Sequence, residues 1–139
     1  MRILLTGGAG FIGSHLAEQF LERREDLVIL DNLDTFYDPS IKERNLEKVR
    51  AKGEFILYRE NLLNQDVLLR VFEQHQPQVV VHLAARAGVR PSLVGPELYS
   101  EVNITGTVRL LDLAQKFKVE HFIFGSSSSV YGTQSRLPF

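Results

Sequence analysis

A doubly wound α/β fold with a parallel sheet is the class this sequence predicts, on three observations. Short apolar runs alternate with helix-length amphipathic segments along the 139 residues. The first run, Arg2 to Thr6, leads into a glycine turn, Gly7-Gly8-Ala9-Gly10-Phe11-Ile12-Gly13, and then a helical pattern. The second run, Leu27 to Leu30, ends on an acid, Asp31. Strand, glycine turn, helix, strand and acid, in that order, is the layout of a dinucleotide-binding βαβ unit.

Each element has its own signal. Arg2 to Thr6 is short and apolar, as a buried strand is. Ile12, Leu16 and Phe20 form one stripe of the first helix, flanked by Ala17 and Leu21. After Asp31 comes a polar and aromatic loop, Asn32 to Tyr37. Asp38 reads as an N-cap with Pro39 at the first helical position, opening a charged surface helix to about Arg50 that Gly53 terminates. Glu54 to Tyr58 is the third strand. Asn64 caps a helix with Val67, Leu68, Val71 and Phe72 on its apolar side. Val79 to Leu83 is apolar almost throughout, as interior strands of parallel sheets are. A glycine-containing loop, Ala84 to Gly95, follows.

Pro96 opens a long helix reaching about Lys118. Leu98, Val102 and Thr105 mark one stripe, and Ile104, Val108 and Leu111 another; Leu110, Leu113, Ala114 and Phe117 add more. That is too much apolar surface for one face against a sheet. A neighbouring helix or second subunit would cover it, or later parts of a longer chain would. His121 to Phe124 is the fifth strand, followed by Gly125-Ser126-Ser127-Ser128-Ser129-Val130-Tyr131-Gly132. Right-handed crossovers with one reversal give the strand order 3-2-1-4-5.

The glycine turn explains itself physically. Gly7 lets the chain turn sharply after the strand. Gly10 lets backbone approach a pyrophosphate, which the free N–H groups and dipole of the helix start would hold. Gly13 lets the helix lie close to the strand. Asp31, eighteen residues after Gly13, can accept hydrogen bonds from both hydroxyls of an adenosine ribose. Its charge would repel a 2′-phosphate, so NAD is favoured over NADP.

Bulk properties bound the rest. Hydrophobic residues make up 44% and charged residues 24%, ordinary for one globular domain, so residues 1–139 are expected to form a single unit. Sixteen basic against seventeen acidic residues leave a net charge of −1, which suggests neither nucleic acid nor an acidic membrane as partner. Without cysteine there are no disulfides or thiolate metal sites. The four histidines, His15, His75, His82 and His121, have no metal-ligand spacing and read as surface or strand-end residues. No signal-peptide pattern opens the chain and no apolar run is of membrane-spanning length, so the expected compartment is the cytoplasm.

In such sheets ligands bind at the carboxyl ends of the strands, near the switch in strand order. Besides the glycine turn, three segments end there: Asn61-Leu62, Leu83-Ala84-Ala85-Arg86 and Ser126 to Ser129. Ala84 and Ala85 suit close packing on a flat nucleotide, or simply tight packing at a strand end. The serines offer short donors into the crevice, or form a solvated turn.

Thr6-Gly7-Gly8-Ala9-Gly10-Phe11-Ile12-Gly13, with its Gly-x-x-Gly-x-x-Gly spacing, resembles the extended short-chain dehydrogenase/reductases. Val81 to Ala85, Ala87 to Ser92, Asn103-Ile104-Thr105-Gly106-Thr107 and Ser126 to Gly132 look like the nucleotide-sugar 4-epimerases of that group. Asp31 to Asp34, Phe36 to Pro39 and Ala87 to Arg90 look most like the UDP-glucuronate 4-epimerases. The resemblance covers essentially the whole chain.

It implies a Rossmann domain holding NAD. Gly7, Gly10, Phe11 and Ile12 would meet the pyrophosphate, with Asp31 and Asn32 at the adenosine ribose. Asn61 stands where the family usually has an aspartate for the adenine amino group; its amide oxygen can accept the same bond without the charge. Leu62, Leu83, Ala84 and Ala85 would line the adenine and nicotinamide sides. Ser127 matches the family's catalytic serine, and Ser128 and Ser129 would face the sugar. Arg90 would meet the substrate's charged end, or remain a solvated loop arginine.

The resemblance also implies a longer enzyme. The family's general base is the tyrosine of a Tyr-x-x-x-Lys helix downstream of the serine, and no such pair follows Ser127 here. The expectation is therefore an N-terminal portion, truncated before the later strands and the substrate domain, and inactive alone. A 4,6-dehydratase or decarboxylase of the same group, or a non-catalytic NAD(H)-sensing module, are the other readings. The exposed edge of the last strand and the second face of the long helix lead us to expect a homodimer or larger species.

Overall fold

The structure, a computed structural model, describes residues 1–133 and 136–138. Residues 134, 135 and 139 of the expected unit lie outside the described set. Five parallel strands form one sheet in the order β3-β2-β1-β4-β5: β1 (Arg2–Thr6), β2 (Asp26–Leu30), β3 (Ile56–Tyr58), β4 (Val79–His82) and β5 (His121–Phe124). This is the doubly wound order, with the reversal between β1 and β4. The register pairs Thr6 with Leu30 on one side and with His82 on the other, so the carboxyl ends of the three central strands are level.

Successive strand residues point to opposite faces, and both faces are covered. Ile3, Leu5, Leu27, Ile29, Val79 and Val81 pack on helices α1 (Phe11–Glu22) and α2 (Pro39–Arg50), through Ala17, Leu21, Leu46 and Val49. Leu4, Val28, Leu30 and Val80 face the other way, onto α3 (Gln65–His75) and α6 (Gly106–Lys116), through Val67, Leu68, Val71, Phe72, Leu110 and Ala114. Each apolar run fills two cores at once, which is why the central strands lack a polar alternation.

The expected caps form. Asp38 accepts a hydrogen bond from Ser40 N at 2.9 Å, and Asn64 accepts one from Val67 N at 3.3 Å. Helix α2 is more than a charged surface helix, because Lys42, Leu46 and Val49 recur on one face and are buried. Part of the loop expected from Ala84 to Gly95 is helical, as α4 (Val89–Val94). The long helix is not uniform either. It runs as α5 (Pro96–Ser100), a π turn (Glu101–Thr105) and α6, with Gly106 N donating to Glu101 O five residues back. Leu110 and Ala114 enter the core, while Ile104, Val108 and Leu111 stay exposed. A short 3₁₀ turn, Ser128–Tyr131, follows β5.

Candidate functional site

The strand reversal leaves a crevice above β1 and β4, and a cleft of about 760 Å³ occupies it. Its floor is the glycine turn. Gly7 has φ +74°, and a Cβ there would lie 2.7 Å from Ala84 N, so backbone meets backbone with no room for a side chain. Gly10 is the N-cap of α1, and among the described residues no side chain caps that helix. Gly10, Phe11, Ile12 and Gly13 all line the cleft. The opening amides of α1 and its positive dipole end thus sit beside the cleft, the arrangement that holds a pyrophosphate.

Asp31 closes one wall. It is buried; its Oδ2 accepts from Ala9 N at 3.0 Å and its Oδ1 from Leu33 N at 2.8 Å. Each oxygen keeps a lone pair for a further donor, as recognition of a vicinal diol requires. Nearby Tyr37 has its phenol pKa raised, first by burial and then by the Asp31 charge. Asn32 also lines the cleft, with its Oδ1 accepting from Asp34 N at 3.1 Å.

The second wall comes from the β3–α3 connection. Asn61 lies on the cleft with its Oδ1 accepting from Leu63 N at 2.9 Å, and Leu62 beside it is buried. Helix α6 braces this wall: a Cβ on Gly106 would be 2.7 Å from Leu62 Cδ2, and Arg109 donates to Leu63 O at 2.7 Å. Leu83, Ala84 and Ala85 complete the third side. Every residue expected at the cofactor, from Gly7 to Ala85, therefore borders one cleft.

A second cleft of about 570 Å³ adjoins it, sharing the Leu83 to Ala87 segment. Ser127 and Ser129 line it, with Ser129 N donating to Ser127 Oγ at 3.1 Å. Ser128 is exposed in the 3₁₀ turn and does not line either cleft. Arg90 is likewise exposed, on α4, outside both walls, whereas its neighbours Val89 and Ser92 border the second cleft.

With this geometry in view, the comparisons with known proteins decide the family. The model of the GDP-mannose 4,6 dehydratase family matches residues 4–139. The chain belongs to that family. Among its relatives, Protein CapI of Staphylococcus aureus is 42% identical over 139 residues, covering 100% of this chain and 41% of the relative. The UDP-glucuronate 4-epimerase of Thermodesulfobacterium geofontis is 40% identical over 132 residues, 95% of this chain and 41% of the relative. The crystal structure of the UDP-glucose-4-epimerase from Stenotrophomonas maltophila, with NAD and formylated UDP-arabinopyranose bound, superimposes with a TM-score of 0.86 at 31% identity. It is covered to 40% of its length, by 100% of this chain. The chain thus spans about two fifths of the length of each of these three proteins.

Several residues of the cleft had a weaker sequence signal. Lys42, in a helix that reads as charged and solvated, is buried. Its Nζ donates to Asp34 O at 2.9 Å and lies 4.8 Å from the centre of the Tyr37 ring. The spacing Lys42, Leu46, Val49 was the clue. Arg86 donates to Asp34 Oδ2 at 2.8 Å, tying the β4–α4 loop to the β2–α2 loop across the cleft. No local pattern announces a pair so distant in sequence. His82 does stand at a strand end, but it is buried there, and burial lowers its pKa to about 4. Among the described residues no cluster of acids and histidines could hold a metal ion, and no helix is long and apolar enough to cross a membrane.

Proposed function

We propose that residues 1–139 are the dinucleotide-binding part of an NAD-dependent nucleotide-sugar 4-epimerase, with UDP-glucuronate as the first substrate to test. One observation carries the reading: the uncapped start of α1 and the half-satisfied carboxylate of Asp31 border the same cleft, as a pyrophosphate and an adenosine ribose would require. Relatives support the sugar class, since several are UDP-glucuronate 4-epimerases. NAD-bound epimerases among the similar structures support the cofactor.

In this reading the amides of Phe11, Ile12 and Gly13 hold the pyrophosphate, and Gly7 and Gly10 keep side chains out of its way. Asp31 fixes the adenosine ribose, assisted by Asn32, with Asn61 and Leu62 against the adenine. Leu83, Ala84 and Ala85 carry the nicotinamide side to the second cleft. NAD supplies a transient hydride acceptor for the sugar C4. Ser127 hydrogen-bonds the reacting oxygen and Ser129 faces the sugar from the second cleft, whereas Ser128 and Arg90, exposed and outside both clefts, are given no substrate contact. The proton acceptor, a Tyr-x-x-x-Lys tyrosine, is placed outside these residues, so the isolated chain binds cofactor and does not turn over. Membership of the GDP-mannose 4,6 dehydratase family favours one second reading, a 4,6-dehydratase; product analysis on the full-length enzyme separates the two.

Calorimetric titration with NAD⁺ and NADP⁺ is the direct test. Binding of NAD⁺ in clear preference to NADP⁺ supports the reading. Equal binding of both, or of neither, overturns it.

A further inference from the structure

His82 lies at the end of β4 with 1% of its surface exposed, between Thr6 of β1 and Thr107 of α6. Its Nδ1 is 2.7 Å from Thr6 Oγ1 and its Nε2 is 2.8 Å from Thr107 Oγ1. The direction of every proton in this thread follows from its ends. Thr107 donates to the Asn103 carbonyl at 2.8 Å, which can only accept. Thr107 Oγ1 must therefore accept from His82, placing the imidazole proton on Nε2. Nδ1 is then an acceptor, filled by the Thr6 hydroxyl, and Thr6 Oγ1 in turn accepts from Ala84 N at 3.2 Å. Beyond Thr107, Asn103 grips Arg86 twice, accepting from its N at 2.8 Å and donating to its O at 3.0 Å.

The thread therefore begins and ends on one short loop. Ala84 is held from the β1 side and Arg86 from the helix side, with a neutral imidazole as the link. The π turn lets Asn103 reach this loop while Gly106 packs on Leu62 in the opposite wall. Phe122 meets the imidazole edge-on and Phe124 lies tilted against it, with ring centres 6.2 and 5.7 Å away.

We propose that His82 is a positioning residue that sets the Ala84–Arg86 loop against the nicotinamide end of the dinucleotide, through Thr6 on one side and Thr107–Asn103 on the other. The inference rests on the dinucleotide reading above and gives His82, which borders the second cleft with almost no exposed surface, a role exerted through Thr6, Thr107 and Asn103.

The test compares NAD⁺ with ADP-ribose, which lacks the nicotinamide, on the wild-type chain, His82→Phe, Thr107→Val and the double variant. Each single change is expected to weaken NAD⁺ about tenfold, the scale of one buried hydrogen bond, while ADP-ribose changes less than about twofold. The double variant is expected to lose no more than either single one, because both cut the same thread. Equal losses for the two ligands, unchanged NAD⁺ binding or additive losses overturn the inference. Thr107→Val is close in shape to the original and carries the comparison alone if His82→Phe does not fold. A wild-type chain that binds neither ligand overturns the dinucleotide reading and this inference with it; one that binds both, with the variants unchanged, overturns this inference only. Independently, ¹⁵N NMR of the imidazole should show Nε2–H, and an Nδ1–H tautomer would contradict the thread.

Discussion

Gly13 and Gly7 face each other so closely that a Cβ on Gly13 would lie 2.1 Å from the Gly7 carbonyl oxygen. Backbone is the obstacle, so no rotamer change relieves the clash. Gly13→Ala must push α1 off the glycine turn and is expected to destabilise the chain by at least about 3 kcal/mol. Gly95→Ala, where nothing lies within 4 Å, should stay within about 0.5 kcal/mol of wild type. Urea denaturation of the two variants checks the contrast.

Asp31→Asn separates charge from shape. Both carboxylate oxygens accept backbone N–H bonds, and an amide has one oxygen, so its NH₂ must face a donor. We expect a loss of stability of about 1–3 kcal/mol. The removed charge also no longer repels a 2′-phosphate, so the NAD⁺-to-NADP⁺ affinity ratio should fall about tenfold or more. An unchanged ratio in a folded variant contradicts the role given to Asp31.

Acid should weaken the fold before the carboxylates titrate. His82 is buried neutral, with its pKa lowered to about 4, and burial lowers that of His75 as well. Below the ordinary histidine value the unfolded chain takes up protons that the folded chain refuses. The stabilisation is therefore complete above about pH 6.5, declines as pH falls, and is spent near pH 4. His82 accounts for about 3 kcal/mol over that window. Unfolding free energies from pH 7 to pH 4 measure it, and His82→Phe should flatten the slope.

The exposed stripe of Ile104, Val108 and Leu111, together with Ile123 and Phe124 on the outer strand β5, leaves apolar surface at one side of the sheet. Self-association through it is expected, so light scattering should report a dimer or larger species. Val108→Glu should shift that species towards monomer, and a wild-type monomer at micromolar concentration would contradict the expectation.

The layout of elements was legible because its signals are local. Asp38 and Asn64 announce helix starts through their own side chains, and Val79 to Val81 announce a strand covered on both faces. The π turn was not legible, since Asn103, Gly106 and Thr107 also fit an ordinary amphipathic helix. Its register answers to loops from distant parts of the chain, Leu62 on one wall and Arg86 on the other. The burial of Lys42 was not legible for a related reason: a lysine in a charged helix is solvated unless tertiary packing supplies a carbonyl and a ring.

By itself, the sequence determined the strand order and the glycine turn. Each depends on a short-range rule: periodicity, turn chemistry, or the handedness of crossovers. Only the tertiary structure decided which polar groups satisfy one another inside that frame. Thr6, His82 and Thr107 come from three separate elements, and their bonds exist because the folded chain excludes water from the space between them. An isolated histidine at a strand end carries no sign of that, because hydrogen-bond satisfaction is a property of the assembled interior.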